Sequence, residues 1–133
     1  MTSKKRIFIS FDYDNDRHYK NLLLAWGAND EFDFEFYDGS LKDSINSTNA
    51  IYVKSVIKPK ITRSTHLLCI VGEKAAGSEW INWEIEQAIA ANKKLIAVKL
   101  ARDYDTPAAL YGQDAKWALS FTFDSIKKAV DSA

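Results

Sequence analysis

The chain has 133 residues, 47% of them hydrophobic and 27% charged, the balance of a globular domain with a real core. Lysine plus arginine equals aspartate plus glutamate at 18 each, so no excess charge favours nucleic acid or an anionic membrane. There is one cysteine, Cys69, inside the apolar run LLCIV. That excludes a disulfide framework within the chain and predicts a buried, unreactive thiol.

The N-terminal MTSKKRIFIS carries positive charge but only three apolar residues in a row. A signal peptide needs roughly seven to fifteen, and no run approaches the ~20 of a membrane span. A cytoplasmic protein is expected. RIFISF (6–11) is apolar nearly throughout, the pattern of a strand buried on both faces. The acidic DYDND breaks it, and Tyr19, Leu22, Leu23 and Trp26 follow at helical spacing, with Gly27 as the stop. FDFEFY (32–37) alternates apolar and acidic residues, as a half-exposed edge strand does, and DGS (38–40) is a turn. A helix is predicted over 49–56, disturbed by Pro59.

THLLCIVG (65–72) reads as a second buried strand. EWINWEIEQAIAANK is the strongest helix, with Ser78 as N-cap and Glu79 in its first turn. KLIAVKL (94–100) is a third buried strand, WALSF (117–121) a short last one, and DSIKKAV (124–130) a closing helix. Alternating helices and buried strands predict one α/β domain over 1–133 with a mainly parallel sheet. Ligands of such sheets bind beyond the carboxyl ends of the strands, where DYDND, DGS and GEKAAGSEW fall.

GEKAAGSE has the glycine spacing of a phosphate loop. Ser78 and Glu79 stand where the lysine and the magnesium-holding hydroxyl belong, and a carboxylate there repels phosphate. In DYDND, Asp12, Asp14 and Asp16 resemble the start of a calcium loop, but Arg17 and Leu23 occupy the positions that need glycine and glutamate. These acids read either as helix caps and turn formers or as the magnesium corner of a phosphotransfer domain. His18 and His66 have no partner at metal-ligand spacing, so no metal is expected. Trp80 and Glu84 stand one helical turn apart, a pair that belongs either to a packed, solvated helix face or to a small active site.

Together these segments resemble a TIR domain. RIFISF is similar to the family's opening strand, FDFEFYD to its second strand ending in Asp38, and KLIAVKL to its fourth. STHLLCIVGEKAAGSEWINWEIEQAI is similar to the third strand and the S-x-W-x-x-x-E helix. The resemblance is strongest to the stand-alone bacterial TIR-like proteins of Thoeris anti-phage defence. It implies a flavodoxin-like three-layer fold and, in many members, cleavage of NAD+ at the nicotinamide–ribose bond, as substrate and not as cofactor. It maps the catalytic glutamate onto Glu84, with Ser10, Phe11, Asp38 and Trp80 as substrate-binding residues. It also implies self-association, and other members are adaptors without catalysis. The α/β pattern leaves no segment for an effector, so a diffusible product sensed by a downstream effector is expected; capture within the same molecule makes that a cyclic ADP-ribose-type product ahead of linear ADP-ribose.

One carboxylate meets the demands of that reaction. Ordinary glycosidases use two, one of which protonates the leaving oxygen. Nicotinamide leaves as a neutral base from a cationic pyridinium, so no general acid is needed. A single carboxylate near the ribose stabilises the positive charge developing on the ring. Glu86 falls on a different side of the helix and forms no pair with Glu84.

Overall fold

Five parallel strands form the centre of the protein, in a computed structural model that describes residues 5–27, 34–37 and 50–133. In chain order the elements are β1 (Lys5–Ser10), α1 (Tyr13–Gly27), β2 (Phe34–Tyr37), α2 (Ala50–Arg63), β3 (His66–Val71), α3 (Glu79–Ala90), β4 (Lys94–Lys99), β5 (Ala115–Ala118) and α4 (Phe123–Ser132). The strand order is β2-β1-β3-β4-β5, every neighbouring pair parallel. This is the flavodoxin-like order, and its reversal point lies between β1 and β3, where Ser10 pairs with Cys69.

The apolar runs explain the layering. All of β3 is buried, so helices must cover both faces. Ile7, Ile9, Leu68, Ile70, Ile96 and Val98 meet Leu23 of α1 and Ile126 and Val130 of α4. Phe8, Leu67, Cys69 and Val71 face the other way, toward Val53, Ile57 and Ile61 of α2 and Ile81 and Ile85 of α3. Each such side chain, once buried, contributes roughly 1.5–3 kcal/mol. The aromatic wealth is partly spent on the α1–α4 layer. Phe121 packs edge-on against Tyr19 at 5.0 Å and lies 5.5 Å from Trp26, which also meets Phe123.

Two elements depart from the sequence expectation. α2 continues through Pro59 to Arg63. Val53, Ile57 and Ile61 recur every fourth residue and are all buried. That seam against the sheet outweighs the lost hydrogen bond at the exposed proline. β5 runs over Ala115–Ala118, earlier than the expected 117–121. Hydroxyls end it: Ser120 Oγ lies 3.2 Å from Thr122 Oγ1 and 3.1 Å from Ser125 Oγ. Thr122 also caps α4, its side chain accepting from the Ser125 amide. Leu119 is left 94% exposed beside the turn.

Pro59→Ala is expected to stabilise the fold. Proline costs about 3 kcal/mol relative to alanine inside a helix, and the freer unfolded chain returns ~1 kcal/mol of that. A gain of roughly 2 kcal/mol in urea unfolding is predicted; an unchanged midpoint would show that α2 already absorbs the proline without strain.

Candidate active site

α3 is built to hold one face against the end of the sheet. Ser78 caps it, its Oγ accepting from the Ile81 amide at 3.2 Å. Asn82 anchors its first turn. Its Nδ2 donates to the carbonyls of Ala76 and Ser78, and its Oδ1 accepts from the Ala109 amide. The helix closes at Asn92, which takes a left-handed φ of 60° that asparagine tolerates. The buried stripe of α3 is Ile81, Glu84, Ile85 and Ala88. This is the i, i+3, i+4, i+7 spacing of a core face. A carboxylate therefore stands where the pattern calls for a hydrocarbon.

Glu84 is only 2% exposed. Ser10, the last residue of β1, donates its hydroxyl to Glu84 Oε1 at 2.8 Å. Strand alternation puts Ser10 on the same sheet face as Phe8, toward α3. A hydrogen bond to a charged group contributes about 1.5–3 kcal/mol, against the several kcal/mol that desolvating a carboxylate costs. Cys69 shows how close this charge lies to the sheet. Burial first, then the Glu84 and Asp16 carboxylates, push its thiol far above the ordinary range. It is inert as a nucleophile.

The other expected site residues fall at different distances from this centre. Trp80 is half-buried one turn before Glu84 and packs edge-on against Trp83, ring centroids 5.6 Å apart. Its Nε1 is buried and has no hydrogen-bond partner. Trp83 in turn carries Lys54 Nζ over its ring at 5.5 Å. Phe11 lies in the core layer formed with α1 and α4, the layer across the sheet from α3, with Lys20 Nζ 5.7 Å from its ring centre. Asp38 lies outside the described residues. The structure thus brings Ser10, Trp80 and Glu84 to one edge and places Phe11 in the opposite layer. Glu86 is exposed, on another side of α3 from Glu84.

Asp16 joins this edge without having been singled out within DYDND. It is 5% exposed, and its Oδ2 finds no hydrogen-bond partner. Asp12 is engaged separately, accepting from Asn15 Nδ2 at 2.7 Å. The Asp16 carboxylate packs on the backbone of Gly72, just past β3; a Cβ at Gly72 would overlap it. Burial, and then the neighbouring Asp12 charge, push its carboxyl from 3.8 up to about 6. The signal available in the sequence was the glycine following CIV, which permits a side chain to lie on the chain itself.

Among the described residues no group of three or more histidines, cysteines, aspartates or glutamates is placed to hold a metal ion. No helix among them is long and apolar enough to cross a membrane.

A doubly wound parallel sheet with a serine-held carboxylate buried at its reversal point defines an α/β domain with a site at the strand carboxyl ends. The chain belongs to the Thoeris ThsB TIR-like domain family, whose model matches residues 8–105. Among solved structures it is similar to a 2-desoxiribosyltransferase from Leishmania mexicana, with a TM-score of 0.61 and 16% identity over 92% of this chain and 93% of that one. That likeness shows the fold alone. No curated protein matches the chain.

Asp16 gives a stability prediction with a definite sign. Its folded pKa lies above its unfolded one, so between about pH 4 and pH 6 the folded state binds the extra proton. Stability is lost as pH rises through that window, and the penalty is complete above it. Asp16→Asn removes the penalty. Its melting temperature should match wild type near pH 4, exceed it increasingly through about pH 6, and keep a steady margin from there to pH 7.5. A difference that stays constant across this range would show that Asp16 titrates normally.

Proposed function

We propose that this chain cleaves NAD+ at the nicotinamide–ribose bond and forms a cyclic ADP-ribose-type product that a downstream effector senses in anti-phage defence. NAD+ is the substrate, and the reaction draws on no resident cofactor. The observation that carries this reading is the burial of Glu84 at a core position of α3 with Ser10 donating to it. A fold that keeps a carboxylate in a hydrocarbon stripe loses stability by doing so, and such sites are where function is found. The family supports the same reading, since many TIR domains cleave this bond.

Glu84 faces the cation that develops on the ribose as nicotinamide departs. In a desolvated site this attraction is far stronger than in water. Ser10 fixes the carboxylate so that it need not reorganise when the charge appears. Trp80, half-buried one turn earlier, offers an aromatic wall for a flat base. A site that holds the adenosine end folded back and excludes water favours capture of the anomeric carbon within the same molecule, because effective molarities in such reactions are very large.

Glu84→Gln keeps the volume and an acceptor for the Ser10 hydroxyl but removes the charge. Nicotinamide release should fall by roughly a hundredfold or more with the fold retained. An amide variant keeping about a tenth of wild-type turnover would remove Glu84 from the reaction, since loss of a preorganised electrostatic partner costs more than that. Chromatography with mass detection tests the product: linear ADP-ribose alone, from fully activated protein, would overturn cyclisation and leave bond cleavage standing.

A second reading, an adaptor acting through self-association, is favoured by a separate observation. Among the described residues β5 is an edge strand; on it Trp117 is 41% exposed, and just past its end Leu119 is 94% exposed. Apolar surface of this size next to unpaired strand edges fits a contact with another protein surface. The two readings meet if assembly completes the catalytic site. In that case specific activity rises with protein concentration. A rate per molecule that is flat from nanomolar to tens of micromolar, with a monomer throughout, would separate catalysis from assembly.

A further inference from the structure

Among the described residues, three buried side-chain polar atoms lack a hydrogen-bond partner: Asp16 Oδ2, His66 Nε2 and Trp80 Nε1. His66 opens β3 at the amino edge of the sheet, the end remote from Glu84. The other two stand at the carboxyl edge, on α1 and α3. One is an acceptor and the other a donor. Buried polar groups are almost always satisfied within a fold, so an unsatisfied acceptor and donor at one edge mark a place that something else completes.

Asp16 is held there deliberately. Its amide closes the first turn of α1 by donating to the Asp12 carbonyl at 2.8 Å. Its carboxylate rests on Gly72, a position where any side chain would displace it. Among charged and titratable groups, Asp12 acts on it, and it acts in turn, as Glu84 does, on the Cys69 thiol. Burial, and then the Asp12 charge, make the carboxylate more basic than an ordinary aspartate, with a value of about 6. A base near neutrality is ionised at working pH and still holds a proton well.

Given the NAD+ reaction proposed above, on which this inference rests, one step lacks a residue. Glu84 faces the ribosyl cation, and a carboxylate kept for that charge is not free to take a proton. Capture of the cation by a hydroxyl or water forms a bond from oxygen to the anomeric carbon and breaks an O–H bond. That proton must go to a base. We propose that Asp16 is a second catalytic carboxylate, the general base that receives the proton of the hydroxyl or water that captures the ribosyl cation. The oxygen lone pair becomes the new C–O bond, the cation is neutralised, and the proton leaves Asp16 for solvent before the next turnover. Nothing is oxidised or reduced.

The test uses the full chain with NAD+, comparing wild type with Asp16→Asn, Gly72→Ala and Glu84→Gln, each first shown to melt cooperatively. Asp16→Asn is expected to lower turnover on the order of a hundredfold with KM changed by less than about threefold. Wild-type turnover should rise with pH through about 6, and the residual rate of the variant should not. Gly72→Ala, which keeps the carboxylate but pushes it from its seat, should show the same loss. Azide attacks without giving up a proton, so it should restore turnover to Asp16→Asn with an azido adduct as product, and restore nothing to Glu84→Gln. An Asp16→Asn protein with about a third or more of wild-type turnover, or one that azide leaves unmoved, overturns the assignment alone. A wild-type protein that leaves NAD+ intact at every pH overturns the proposed reaction and this assignment together.

Discussion

The bond between the Ser10 hydroxyl and Glu84 is the constraint around which the carboxyl edge is arranged. It joins the end of β1 to the middle of α3, two elements of different layers, and it can form only if both are set accurately. β1 is set by its parallel pairing with β3, in which Ser10 lies opposite Cys69. α3 is set by the Ile81, Ile85 and Ala88 contacts on the sheet and by Asn82, which clamps its first turn to the Ala108–Leu110 segment. A one-residue slip of either element would put the carboxylate against hydrocarbon with no donor in reach. The apolar core thus does more than stabilise the fold: its packing precision fixes where one charge sits.

The same edge holds its polar groups at some expense. Glu84 and Asp16 both lie buried at the reversal point of the sheet, and both raise the thiol of Cys69 between them. Two carboxylates in one desolvated place destabilise a fold in the absence of a ligand.

How much of this was legible in the sequence depends on the kind of signal. The parallel sheet was legible because β1, β3 and β4 are apolar without alternation, which only a sheet covered on both faces allows. Ser78 as a cap was legible because its hydroxyl precedes an unmistakable helix. Glu84 was reached by likeness to a family motif, although its register with Ile81, Ile85 and Ala88 carried the same message in plain physical terms. Asp16 was not legible. Within DYDND three aspartates look alike, and the seat of Asp16 against Gly72 comes from tertiary structure alone. Pro59 misled for the reverse reason: a local helix breaker was overruled by the Val53, Ile57 and Ile61 seam. β5 was placed too late because WALSF reads as one apolar run, while the strand ends at Ala118, ahead of the Ser120, Thr122 and Ser125 hydroxyl cluster.

The amino edge of the sheet is closed by a different device. Lys5 Nζ donates to the carbonyls of Val130 and Ala133, fastening the first strand to the last turn of α4. The beginning of β1 and the end of α4 are thus neighbours, on the side of the molecule away from Glu84. Lys5, Val130 and Ala133 are gathered at one edge of the sheet. The fold separates this fastening from the Ser10–Glu84 bond by the full length of β1.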